Sequence, residues 1–227
     1  MVADHTVKAF DDDITRLRGM IAEMGGLAEL AIDEAMDSLV KGADSVAAQV
    51  IERDKRIDAI EQDVDRLVVR VLALRAPMAD DLREVIGALK IAGILERVGD
   101  YAKSIAKRTG KIESRTKFEP LTLIPAMAEI ASEMIRDVLT AYAARDPKLA
   151  MEVIARDVKV DAFYDSIFRN LVSHMIENPA TITSAAQLLF VARNLERIGD
   201  QATNIAEQVY FAATGDYLGD RADRPVT

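Results

Sequence analysis

Apolar residues recur along this chain in the steps of three and four that mark an α-helix, and no segment alternates as a strand would. The clearest stretch follows Asp44, where Ile57, Ile60, Val64, Leu67, Val71 and Leu74 form a narrow seam of the bundle type. Pro77 ends that helix, because the residue before a proline avoids helical angles. The same proline can open a helix running to Thr109–Gly110. Upstream, a first helix is predicted from about Val7 to Lys41, with Gly42 as its stop and Gly25–Gly26 as a bend or a close helix contact. A polar linker, Lys111 to Pro120, precedes three further helices near Pro125–Arg145, Pro147–Glu177 and Pro179–Ala213. The joints are short, so neighbours run antiparallel and each set of three makes an elongated bundle.

The two sets are copies of one another. Leu95–Ala106 (LERVGDYAKSIA) aligns with Leu195–Ala206 (LERIGDQATNIA) at an offset of 100, with eight of twelve positions identical. A weaker match pairs Asp54–Asp58 (DKRID) with Asp157–Asp161 (DVKVD) at an offset of 103. The expected fold is therefore all-α, two tandem homologous three-helix bundles covering residues 1–112 and 113–227.

Composition narrows the chemistry. With no Cys among 227 residues, disulfides, thiolate metal sites and cysteine nucleophiles are excluded. The net charge of −9 disfavours nucleic acid, whose phosphates call for basic patches, and favours cations or basic protein surfaces. No apolar run approaches the ~18 residues of a membrane span, so a membrane would be reached only through partners. Nothing near Met1 reads as a signal peptide, which makes the cytoplasm the expected compartment. No phosphate-binding loop or serine elbow is present, so no enzyme is expected.

Four acidic pairs recur at i,i+4: Asp54/Asp58, Glu96/Asp100, Asp157/Asp161 and Glu196/Asp200. Residues so spaced share a helix face, where two carboxylates can reach one cation or, without one, repel by roughly 0.2–0.5 kcal/mol. One reading is a solvated acidic face. On a helical wheel Glu96 and Asp100 lie about 160° from Val98, the centre of the apolar stripe, on the side that also carries Lys103 and Lys107. The other reading is a cation site. The second copy offers no such lysines, only Arg193 and Arg197. A bound metal would be a hard or borderline ion such as iron, zinc, manganese or magnesium. The chain offers little nitrogen: of its two histidines, His5 lies near the N-terminus and His174 reads as a core or boundary position and not as a ligand. A carboxylate-bridged oxidase would require Glu-x-x-His motifs, which neither copy has. Gly99 and Gly199, mid-helix in both copies, point to a close approach by a ligand, a partner or a neighbouring helix.

Glu96–Asp100 (ERVGD) and Glu196–Asp200 (ERIGD) resemble the paired signature of the PhoU family, and His5–Ile14 and Asp81–Arg83 are similar to it as well. The resemblance implies a negative regulator of the phosphate regulon, acting between a phosphate ABC transporter and a sensor histidine kinase and forming a homodimer. It further implies multinuclear iron or zinc on Glu96, Asp100, Glu196 and Asp200, extending to Asp54, Asp58, Asp157 and Asp161. Glu61 in the first copy is matched by Tyr164 in the second, so the first site would be richer in oxygen ligands.

Overall fold

The computed structural model describes residues 2–112 and 122–218, with side chains from residue 9 onward. Residues 113–121, most of the predicted linker, lie outside the described residues, as does the side chain of His5. Six long helices run in order: α1 (Val2–Lys41), α2 (Asp44–Arg75), α3 (Ala79–Ala106), α4 (Leu123–Ala144), α5 (Pro147–Glu177) and α6 (Ile182–Thr214). Short 3₁₀ turns at Thr109–Lys111 and Pro179–Thr181 complete the described elements, among which there is no strand.

Local chemistry sets the ends. Gly42 adopts φ 70°, a left-handed conformation that ends α1 without a Cβ clash. Asp146 caps α5, its carboxylate accepting hydrogen bonds from the amides of Lys148 (2.9 Å) and Leu149 (3.2 Å), with Pro147 at the first helical position. Pro179, read as a helix start, instead opens the 3₁₀ turn before α6.

The helices α1, α3, α6 and α4 pack side by side into a closed ring of four. Against this ring α2 lies on α1 and α3, and α5 lies on α4 and α6, so the two repeats meet through α3 with α6 and through α1 with α4. α1 runs unbroken through Gly25–Gly26. Gly25 is buried where a Cβ would overlap the end of the Leu139 side chain on α4, so this glycine serves a close helix contact and not a bend.

The predicted seam of α2 is buried from Ile57 to Val71, each fully buried aliphatic side chain contributing roughly 1.5–3 kcal/mol. Leu74 departs from it and is 65% exposed. A straight helix of period 3.6 drifts off a 3.5-residue seam. By the last turn of α2 it is Arg75 that meets α1, pairing with Asp13 at 3.3 Å. His174 is half-buried on α5, the boundary position expected for it.

The repeats are also joined by charge. Buried Glu84 on α3 accepts from Arg18 on α1 (2.6 Å) and from Arg145 at the α4–α5 joint. A buried carboxylate holds its charge only when paired in this way. No helix among the described residues is long and apolar enough to cross a membrane.

Candidate functional site

In the first repeat the acidic residues gather along the seam between α2 and α3, and the glycine of the recurrent motif explains how. A Cβ added at Gly99 would stand 3.2 Å from Oδ1 of Asp54 and 2.9 Å from Cδ1 of Ile57. At Gly199 the same construction meets Oδ1 of Asp157 and Cγ1 of Val160, both at 3.2 Å. The glycine removes the side chain that would keep the facing aspartate away, so each third helix closes on the middle helix of its own repeat. Of the three approaches that the sequence allows, the neighbouring helix is the one observed.

This packing leaves Asp100 on the outer side, where the wheel puts it, but draws Glu96 part-way inward and buries Asp54. Asp54 is only 3% exposed, Asp58 and Glu96 are half-buried, and only Asp100 is open to solvent. The wheel treated α3 as one-sided, whereas α1, α2 and α6 all pack against it. In the second repeat Asp157, Glu196 and Asp200 are half-buried and Asp161 is exposed.

Lys103 supplies the first site's counter-charge. Its ammonium donates to Asp100 (2.7 Å) and to Asp54, bridging α2 and α3. Burial alone would lower the lysine's pKa, but these two bonds raise it well above the ordinary value. Lys107 is exposed and makes no ion pair with the cluster. The remaining oxygen of Asp54, Oδ1, is buried with no hydrogen-bond partner.

The other carboxylates are shifted upward, by burial first and then by their acidic neighbours. Burial, then Asp100, Asp58, Glu61 and Asp54, raise the pKa of Glu96. Asp58 is raised by burial and by Asp54 and Asp100, against the lowering effect of Lys103. Glu61 is raised by burial and by Asp65 and Asp58. In the second repeat Thr203 replaces Lys103, and Arg193 pairs with Glu196 instead. Glu196 is nonetheless raised, by burial first, with Asp200 and Asp161 opposing the arginines Arg193 and Arg197. Asp161 is raised by burial, Asp200 and Asp165.

The donor set is all carboxylate, which fits a hard cation, and the acidic neighbours add to burial in raising the pKa values of Glu96, Asp58, Glu196 and Asp161. The fit differs between the repeats, since the Lys103 ammonium already stands between Asp54 and Asp100 and Thr203 takes the matching position in the second. Among the described residues, no three His, Asp or Glu side chains are grouped so as to hold a metal ion as they stand.

Three features escaped the sequence. Arg197 lies 5.8 Å from the ring centre of Tyr101 and Arg193 lies 5.5 Å from that of Tyr164, so aromatic faces orient the arginines beside Glu196. Asp165 adds a further charge beside Asp161. Arg18, Glu84 and Arg145 are separated too widely in the chain to be read as one network.

The description "PhoU domain" matches residues 21–109 and again 124–209. The chain belongs to the PhoU family. It is 52% identical over 217 residues to a "Phosphate-specific transport system accessory protein PhoU homolog" of Zymomonas mobilis, covering 96% of this chain and 92% of that protein. A protein of the same description from Caulobacter vibrioides is 40% identical, with 96% and 95% covered. Among solved structures, PhoU from Pseudomonas aeruginosa superposes with a TM-score of 0.86 at 34% identity, over 91% of this chain and all of that one. The doubled PhoU domain coincides with the repeat seen in the two glycine-bearing motifs.

Proposed function

We propose that this PhoU-family chain is a non-catalytic accessory of the phosphate-specific transport system, and that it couples a phosphate ABC transporter to a sensor histidine kinase so as to repress the phosphate regulon. The observation that carries the reading is the likeness, over nearly the whole chain, to proteins named as accessories of that transport system. A helical bundle with acidic faces acts by binding one state of its partners better than another, which needs no reacting group. The test is a deletion strain: phosphate-starvation genes should stay on in phosphate-rich medium and be silenced again by the full chain. Normal repression in the deletion strain counts against the reading.

Within it, the carboxylates Asp157, Asp161, Glu196 and Asp200 hold a cation, iron or zinc or else manganese or magnesium, and Asp54, Asp58, Glu96 and Asp100 form the matching first site. A bound cation would supply positive charge that cross-links the middle and third helices of a repeat. Lys103 favours a second reading for the first repeat, in which the ammonium does that work and the bundle presents its acidic face to a partner without metal.

A further inference from the structure

Across the seam where the repeats meet, α3 and α6 run antiparallel, in a register set by Gly87 with Ala212, Tyr101 with Arg197, Ser104 with Asn194 and Arg108 with Gln187. Lys90, Arg97 and Arg108 share the face of α3 that carries Tyr101, since steps of seven, four and seven residues return to one side of a helix. Arg197 reaches the same line from α6, at the level of Tyr101. Four cations therefore form a row about 27 Å long, from Lys90 to Arg108 at 1.5 Å per residue. Where α6 borders this row it carries amides, among them Gln187, Asn194 and Gln201, and no carboxylate interrupts it.

Most arginines among the described residues are ion-paired with a carboxylate. Arg97, Arg108 and Arg197 are not, nor is Lys90, although acidic residues outnumber basic ones by 38 to 29. Two of the arginines are held in place by other means. Arg108 lies 4.5 Å from the ring centre of Phe190 and donates to Gln187 at 3.0 Å, and Arg197 lies on the ring of Tyr101. Stacking on an aromatic face fixes the plane of a guanidinium and leaves its N–H edge to meet a carboxylate. Lys90 and Arg97 are open to solvent.

We propose that this seam binds an acidic helix of a partner protein, laid between α3 and α6, with Lys90, Arg97, Arg197 and Arg108 receiving its carboxylates. Two packed helices leave a groove that accepts a third, and cations about 10, 6 and 10 Å apart match acidic residues seven, four and seven positions apart on such a helix. Phe190, 52% exposed, adds an apolar contact at one end. The row is one residue wide. Beside it stand Asp100, on the side where Lys103 reaches α2, and Asp200, on the side of Asp161 and α5. A bilayer of anionic lipid or a nucleic-acid duplex would press its charge onto these carboxylates as well, whereas a single narrow helix fits between them.

The inference rests on the adaptor reading, which is tested in cells, whereas the seam is tested on the purified chain, so each can fail without the other. The probe is a fluorescent peptide of alanine, glutamine and glutamate, about twenty residues long to span the row, with its glutamates seven, four and seven apart. Its binding is followed by anisotropy at about 0.15 M salt, where long-range attraction is screened. Lys90→Gln, Arg97→Gln and Arg197→Gln together should weaken binding roughly tenfold, about what the loss of three exposed ion pairs gives. Arg97→Gln alone removes no contact among the described residues and should weaken it about two- to fourfold. The control carries Arg16→Gln, Lys148→Gln and Arg169→Gln, an equal charge change at exposed positions elsewhere, and should bind within about twofold of the native chain. Equal weakening in seam and control variants, or no saturable binding to the native chain below about 1 mM, overturns the site. Phosphatidylserine vesicles or polyuridylate that displace the peptide, and bind the native chain but not the seam variant, overturn it in favour of a lipid or nucleic-acid surface. A native dimer that dissociates only in the seam variant overturns it in favour of self-association.

Discussion

Gly99 on α3 lies directly against Asp54 on α2, so close that one added carbon would stand 3.2 Å from the carboxylate oxygen. The same relation recurs between Gly199 and Asp157. Glycine in a helix interior costs about 1 kcal/mol relative to alanine, and here that cost admits a carboxylate between two helices. Gly93, on the same helix, has nothing within 4 Å of its added carbon. Gly93→Ala should therefore stabilise the protein by roughly 0.5–1 kcal/mol, whereas Gly99→Ala and Gly199→Ala should forfeit that gain or fall below the native chain. Thermal melts of the three variants decide it; equal stabilisation by all three would show that the contacts carry no constraint.

Lys103 is the next test. Removing it leaves the almost fully buried Asp54 without its cation, and breaking a buried pair from one side costs up to 3–5 kcal/mol. Because the ammonium is partly solvated, Lys103→Ala should cost less, about 2–3 kcal/mol. Adding Asp54→Asn removes the stranded charge and should restore most of the loss. A double variant no more stable than the single one would mean that Lys103 acts through packing alone.

Much of this architecture was legible in the chain. Gly42, Pro147 and the seam from Ile57 to Val71 act locally, through backbone angles and a helical period, and each stands where the pattern puts it. The burial of Asp54 was not legible, because it depends on Gly99 in a different helix, and the i,i+4 spacing with Asp58 reads like any surface pair. Leu74 misled for a related reason: one more apolar residue in register carries no sign that Arg75 will turn towards Asp13. The contact of α1 with α4 belongs to the packing of one repeat on the other, which no local window contains.

The raised carboxylates set a pH dependence. Glu96, Glu61, Glu196, Asp58 and Asp161 all hold protons more tightly in the folded chain, burial being the leading cause for each. Between the usual values, 4.5 for Glu and 3.8 for Asp, and the raised folded values, the native state binds more protons than the unfolded one. Their contribution is thus fully present below the usual values and is lost as pH rises through the folded ones. Lowering pH from about 7 towards 5 should raise the melting temperature, and Glu96→Gln with Glu196→Gln should flatten that rise. A native curve that falls steadily over this interval would contradict the assignment.

The second repeat gives the cleanest trial of cation binding, because Thr203 stands where Lys103 stands in the first. A ligand that prefers the folded state stabilises it by mass action, about 2.7 kcal/mol at a hundredfold excess over its dissociation constant. If Glu196 and Asp200 hold a cation, changing both to Ala should lower the metal found by elemental analysis after chelator-free purification. Added metal should then raise the melting temperature of the native chain well above the shift seen in the variant. If they only decorate the surface, the same change relieves repulsion among Glu196, Asp200 and Asp161, and stability should hold or rise slightly with no response to metal. Arg193 complicates the stability reading alone, since its pairing with Glu196 is lost too, but it leaves the metal content untouched as a measure. Equal metal content and equal metal-induced shifts in the two proteins would therefore remove Glu196 and Asp200 as ligands.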